Sequence, residues 1–174
     1  EKVCTIETAI DLKDYDTEKR DDFELKKKYS LDDDHIIFLY VGSIQFRKDI
    51  ETLIQSFINL PNILLKKIRC FMVGDIDNDY YQRIISIIKK NHLSDVFIFT
   101  GKKSKEELTS YYTSADCFVF PSIWEGSPRV VKEAIAYRLP VIAADISGVR
   151  VIDKNKDFII FFKPRNSKDL SDKI

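Results

Sequence analysis

Two glutamates separated by seven residues, Glu125 and Glu133, and two adjacent cations in a glycine-led loop, Arg47 and Lys48, are the side chains of this chain best placed to do chemistry. A carboxylate accepts two hydroxyl hydrogen bonds at once, so a pair of carboxylates suits vicinal diols. Glu125 lies in the loop Pro121-Ser122-Ile123-Trp124-Glu125-Gly126-Ser127-Pro128, where Ser127 then Pro128 reads as an N-cap followed by a first helical residue. The helix that follows would aim free N–H groups and the positive end of its dipole at the loop, a setting that favours phosphate. In Gly42-Ser43-Ile44-Gln45-Phe46-Arg47-Lys48 the forked Arg47 guanidinium and the point charge of Lys48 could neutralise a diphosphate. Plainer readings stand beside these. Glu133 could simply be the i, i+4 partner of Arg129 on a wet helix face, and Arg47 and Lys48 surface charges beside Asp49 and Glu51.

The elements that must position these residues are legible from periodicity. Ile36 to Val41 is a continuous apolar run closed by Gly42, as in a strand covered on both faces. Ile50, Leu53, Ile54, Phe57 and Ile58 then follow helical spacing, and Pro61 stops the helix. The unit recurs: a strand over 68–73 ending at Gly74, then a helical stripe at Tyr81, Ile84, Ile85 and Ile88; a strand over 96–99 near Gly101, then Leu108, Tyr111, Tyr112 and Ala115. Further strands are expected over 117–120, 140–143 and 158–162, with a helix over about 128–137 between the first two of them. Alternation of this kind predicts an α/β fold, a Rossmann-like parallel sheet of about six strands with helices on both faces. Residues 1–34 read as a linker from a preceding domain, with a weak strand over 3–6 and a helix over 21–29, and residues 35–174 as the domain itself. The chain stops at Ile174 in what reads as the first turn of a helix, as expected of a piece of a longer protein.

Ligands of open parallel sheets bind beyond the carboxyl ends of the strands. The candidate site is therefore the loops 42–48, 74–79, 100–104, 121–128 and 144–149, which hold all five glycines. Any one of those glycines could equally serve only to turn the chain.

Composition excludes several functions. Lys+Arg and Asp+Glu are equal at 28 each, which leaves no global field for nucleic acid. Cys4, Cys70 and Cys117 form no CxxC pair, and two of them sit in strand-like runs, so a reduced, cytoplasmic chain is expected. No apolar stretch approaches the roughly 20 residues that span a bilayer, and no signal peptide opens the sequence. Asp75-Ile76-Asp77-Asn78-Asp79 fails as an EF-hand, because Tyr80 and Ser86 stand where glycine and glutamate are needed. Its aspartates read instead as caps for a helix starting near Asp79. His35 and His92 lie apart from each other and from the cysteines, which argues against a zinc site or a catalytic triad. No GxGxxG and no phosphate loop ending in Gly-Lys-Ser/Thr are present. A signalling domain of flavodoxin type would need an aspartate where Gly42 stands.

Four segments in order resemble the carboxyl-terminal domain of family 4 retaining glycosyltransferases, one half of the two-domain GT-B architecture. They are Tyr40-Val41-Gly42-Ser43 through Arg47-Lys48 to Thr52-Leu53-Ile54; Met72-Val73-Gly74-Asp75; Phe97 to Gly101 leading to Glu107-Leu108 and Tyr111-Tyr112; and Phe120-Pro121-Ser122 through Glu125-Gly126-Ser127-Pro128 to Glu133-Ala134, then Leu139 to Ala143. Ile6 to Asp11 is similar to the family's approach to this domain.

The resemblance implies a donor site for a nucleotide diphosphate sugar, UDP- or GDP-linked, in a crevice closed by an amino-terminal acceptor domain. Glu125 would contact the donor sugar and Glu133 the ribose. Lys48, with Arg47, would stabilise the departing diphosphate. Backbone groups of Gly126, Ser127 and Pro128 would face the sugar and diphosphate, and Gly42 and Ser43 would approach the donor. The loops after Gly74 and Gly101, with Asp75 and Lys102, would line the nucleobase pocket. Transfer to an acceptor hydroxyl with retention, no metal and no cofactor, is what the family implies, with any peripheral membrane contact made through the other domain.

Three departures stand out. Ser43 occupies a position where many members carry arginine, a charge Arg47 could supply from the other end of the loop. Arg138 stands where a glycine usually takes a left-handed helix cap. The loop 145–150 has one glycine, Gly148, where a pair is common. The Ser43 change keeps open a non-catalytic nucleotide-sugar-binding or regulatory module of the same fold. Trp124 could shield a sugar or plug the domain edge.

Overall fold

The computed structural model describes residues 9–11, 13, 15 and 23–174, the side chains of residues 23 and 24 excepted; the strand expected over 3–6 lies outside them. A six-stranded parallel sheet runs through the molecule: β1 (Ile36–Val41), β2 (Ile68–Val73), β3 (Phe97–Gly101), β4 (Cys117–Phe120), β5 (Val141–Ala144) and β6 (Ile159–Phe162). Between and around the strands lie α1 (Phe23–Lys28), α2 (Ile50–Ile58), α3 (Asn62–Lys67), α4 (Asn78–Lys90), α5 (Lys105–Ser114), α6 (Arg129–Ala136), α7 (Ser147–Arg150) and α8 (Ser167–Ser171).

The strand order is β3-β2-β1-β4-β5-β6, every pair parallel. The chain winds outward from β1 to β3, then crosses back through α5 to place β4 on the other side of β1. The order therefore reverses between β1 and β4, and in open parallel sheets ligands bind beyond the carboxyl ends of the strands at such a reversal.

Because successive strand residues face opposite ways, the apolar runs feed two cores. Phe38 and Tyr40 of β1 and Cys70 and Met72 of β2 pack with α2, α4 and α8 through Leu53, Phe57, Ile84 and Leu170. Ile37, Leu39, Phe71, Phe118 and Phe120 pack on the other face with α1, α5 and α6 through Leu25, Tyr111, Tyr112 and Val131. On α2 the predicted stripe is buried at Ile50, Leu53, Ile54 and Phe57, whereas Ile58 is exposed. On α4 the buried register is Tyr80, Ile84 and Ile88. Tyr81, one position later, sits half-buried with its ring edge against Phe99 at 5.0 Å. Pro61 does more than stop α2: it stands at the N-cap of α3, a short helix that the sequence pattern did not announce.

α1 packs on the sheet as well, with Leu25 buried and the Tyr29 ring 4.8 Å from that of Phe71. The Tyr29 and Tyr111 hydroxyls meet at 2.9 Å. Among the described residues no helix is long and apolar enough to cross a membrane.

Candidate functional site

The loops beyond the carboxyl ends of β1, β2 and β3 are tied together by main-chain hydrogen bonds. Gly42 N–H donates to Val73 O at 2.9 Å, Gly74 N–H to Gly101 O at 3.1 Å, and Ile44 N–H to Asp75 O at 2.7 Å. Gly74 is required here: a Cβ at that position would lie 2.0 Å from the carbonyl oxygen of Gly42, and its φ is +152°. Tyr40, buried in β1, donates its hydroxyl to Ser43 O at 2.9 Å, and burial, reinforced by the Glu125 charge, pushes that phenol well up. Ser43 itself accepts Gln45 Nε2 at 2.6 Å.

The loop after β4 is joined to the loop after β1 in the same way, by Ile123 N–H donating to Arg47 O at 3.3 Å. That junction brings the three predicted charges together. Lys48 and Arg47 both donate to Oε1 of Glu125, Arg47 from 2.6 Å. Lys48 is only 8% exposed, a buried charge tolerated because an opposite charge meets it. Ser122, fully buried, places its hydroxyl 3.1 Å from the same oxygen. Burial alone would raise the Glu125 carboxyl; the hydrogen bond and charge of Lys48, followed by those of Arg47, outweigh it and hold the group below the usual carboxylate range.

Gly148, near the start of α7, sets the far side of this loop, since a Cβ there would sit 2.0 Å from Glu125 O. Phe46 and Trp124, flanking the charged cluster in sequence, are 66% and 73% exposed. Trp124 is therefore no plug in this structure.

Glu133 belongs to a second cluster, on α6. Arg129 Nε donates to its Oε1 at 3.0 Å, so the i, i+4 pair forms. Tyr112 donates to Oε2 at 3.1 Å and Tyr15 to Oε1 at 3.4 Å. The helix start differs from the sequence expectation. Pro128 is the N-cap, with ψ of 111°, and the helix begins at Arg129. Ser127 lies one position too early to cap, and its hydroxyl accepts Lys132 Nζ at 2.7 Å instead. Pro128 has no side-chain acceptor to cap this end of α6. Asp77, by contrast, caps α4 by accepting Tyr80 N–H at 3.1 Å, as its loop predicted. Asp75 and Lys102 face each other at 3.7 Å across the loops that end β2 and β3, both exposed.

The sequence reasoning gave no role to Ser122, Tyr40, Tyr112, Tyr15 or Gly148. Ser122 and Gly148 had a signal in their loops, Tyr40 and Tyr112 looked like core residues of a strand and a helical stripe, and Tyr15 lay in the stretch read as a linker. Two other features lie outside the charged cluster of Arg47, Lys48 and Glu125. A cavity of about 590 Å³ along α6 is lined by Ile10, Tyr15, Lys132, Ile135, Arg138 and Phe158 among others. Asp32, Asp34 and His35 gather metal-capable atoms before β1, at the opposite end of that strand, and Lys67 already pairs with Asp34 at 2.8 Å.

Comparison with known proteins shows the family and the fold. The sequence profile of the family described as "Glycosyl transferases group 1" matches residues 21–174. TuaC of Bacillus subtilis strain 168, a teichuronic acid biosynthesis glycosyltransferase by name, is 31% identical over 152 residues, covering 87% of this chain and 35% of its own length. Sucrose-phosphate synthase from Thermosynechococcus elongatus superposes with a TM-score of 0.79 at 27% identity, over 94% of this chain and 40% of that one. HepE of Anabaena, solved in complex with UDP and glucose, shares the fold at a TM-score of 0.82 and 20% identity, over 94% of this chain and 44% of that one. The chain thus spans about two fifths of the length of these proteins. By its residues 21–174 it belongs to the group 1 glycosyltransferases.

Proposed function

We propose that this chain is the donor-binding half of a glycosyltransferase, holding a nucleotide diphosphate sugar in the crevice between β1 and β4 for transfer to an acceptor hydroxyl with retention of configuration. One observation carries the reading: Arg47, Lys48 and Glu125 meet at the switch point of the sheet. With no donor bound, Glu125 balances both cations. A diphosphate arriving at the loop 42–48 would take over Lys48 and Arg47, and Glu125 would turn to hydroxyls of the donor sugar. As the glycosidic bond to the diphosphate breaks, negative charge grows on the leaving phosphate, and cations already fixed at that point lower the barrier. Glu133 would accept the ribose hydroxyls, and the loops carrying Asp75 and Lys102 would line the base. Arg47, at the other end of the loop from Ser43, would supply the positive charge, which favours an active enzyme over a non-catalytic module.

Support for a UDP-like donor comes from HepE, whose structure holds UDP and glucose. The acceptor would be bound by a second, amino-terminal half, with any peripheral membrane contact made there, and the diphosphate would be neutralised by side chains with no metal required. The buried, unpaired Cys70 fits a reduced, cytoplasmic setting. Calorimetric titration of the chain against a panel of nucleoside diphosphates tests the reading. Weak binding of UDP or GDP, weakened further by Glu133→Ala, is expected; silence across the panel at millimolar ligand would overturn it.

A further inference from the structure

Glu133 cannot act as a diol acceptor unless its carboxylate is held in one orientation, and three side-chain torsions separate that group from the α6 backbone. Arg129 is a weak constraint. It sits on the same helix and its side chain is 60% exposed. Tyr112 reaches Glu133 from a different element, α5, and is itself fixed: it is buried, stacked on Tyr137 with centroids 5.0 Å apart and planes 12° apart, and 6.0 Å from Phe118. Its hydroxyl donates to Oε2 of Glu133 at 3.1 Å. A small hollow of about 30 Å³, lined by Tyr15, Lys105, Leu108, Tyr112, Glu133 and Tyr137, lies beside the carboxylate.

We infer that Tyr112 is the positioning residue for Glu133, anchoring Oε2 through one of its lone pairs so that the remaining acceptor sites present a fixed geometry to the ribose hydroxyls. The inference rests on the donor-site reading above. A carboxylate offers about four acceptor directions. Tyr112, Arg129 and Tyr15 occupy three of them. Two ribose hydroxyls therefore need one further contact to give way, and the 3.4 Å bond from Tyr15 is the longest. Tyr112 remains a donor throughout, because burial, followed by the Glu133 charge, pushes its phenol well above the usual range.

The test is Tyr112→Phe in the full chain, which keeps the ring stack and removes the hydroxyl, titrated with UDP and GDP and with their 2′,3′-dideoxy counterparts. Expected is a five- to tenfold loss of affinity, on the order of one ordinary hydrogen bond, for the ribonucleotide that binds, and no change for its dideoxy form. Tyr112→Phe/Glu133→Ala should then bind no more weakly than Glu133→Ala alone. Equal weakening of ribo and dideoxy ligands, or an additive double variant, would assign Tyr112 a merely structural role and overturn the inference. If Glu133→Ala weakens the ribonucleotide and Tyr112→Phe does not, the positioning role falls while the donor site stands. If neither Glu133→Ala nor removal of the ribose hydroxyls matters, the ribose reading falls and takes this inference with it.

Discussion

Lys48 is buried against Glu125 at the end of β1, and in the proposed donor site it would turn to the diphosphate while Glu125 turned to the sugar. Lys48→Met would remove the point charge facing the diphosphate while leaving Glu125 with Arg47 and Ser122. Affinity for a nucleoside diphosphate should fall by ten- to a hundredfold, about what a charge-assisted hydrogen bond contributes, and affinity for the bare nucleoside should not change; titration with both ligands checks this. The pH response of Glu125 has a definite sign. Its carboxyl is held below its ordinary value of 4.5 in the folded chain, so its stabilising effect is fully present above about pH 4.5 and fades as pH falls through the lowered folded value. Melting temperatures of the wild type and Glu125→Gln should therefore stay a constant interval apart near neutrality and converge in acid. An interval that widens in acid would contradict the assignment. These charged residues were legible because residue type and loop position suffice to nominate them. Tyr40 and Tyr112 were not, because a phenol on a core-facing run looks the same whether or not its hydroxyl meets a polar partner, and Tyr15 was not because it lies in the stretch read as a linker.

At the scale of elements, the end of α6 shows how a departure from the family pattern is accommodated. Arg138 adopts φ of 57°, the left-handed cap that glycine usually fills. Arg138 N–H donates to Ile135 O at 2.9 Å and Leu139 N–H to Ala134 O at 3.0 Å, closing the turn as a glycine would. The helix end is thus unchanged in form and carries backbone strain instead. Arg138→Gly should stabilise the chain by about 1 kcal/mol, raising its melting temperature by about 2–4 °C; a lower melting temperature would show that the arginine side chain contributes more than its backbone costs. Gly148→Ala belongs to the same scale with the opposite sign, since its methyl would press on Glu125 O. A loss of about 1–3 kcal/mol is expected in chemical denaturation, as for overpacking elsewhere, together with weaker nucleotide binding.

Strands such as β1 and β2 were readable to the residue because their runs are continuous and end in glycine. The beginning of α5 carried an unread signal: Ser104 and Glu107 form a reciprocal capping box, with the serine hydroxyl accepting Glu107 N–H at 3.2 Å and the Glu107 carboxylate accepting Ser104 N–H at 3.0 Å. Ser127 was misread because Ser-Pro fits two registers. Proline is tolerated at the first helical position, but here its ψ of 111° keeps it outside the helix.

At the scale of the whole molecule, the alternation of strands and helices fixed a parallel sheet but not the order of its strands. Periodicity records which residues share a face and is silent on which strand lies beside which. The reversal between β1 and β4 comes from the crossover through α5, and it is what brings the loop 42–48 against the loop 121–128. The chain should behave as a binder that does not turn over alone, with sugar transfer appearing only when an acceptor-binding half is supplied; turnover by the chain alone would refute that division of labour. The central claim is that a nucleoside diphosphate sits in the β1/β4 crevice. Amide hydrogen exchange of the chain with and without saturating UDP or GDP tests it most directly. Slowed exchange confined to the segments 42–48, 74–79, 100–104 and 121–133 is the predicted result; protection concentrated along the cavity beside Tyr15, Ile152 and Phe158, with those loops unaffected, would contradict it.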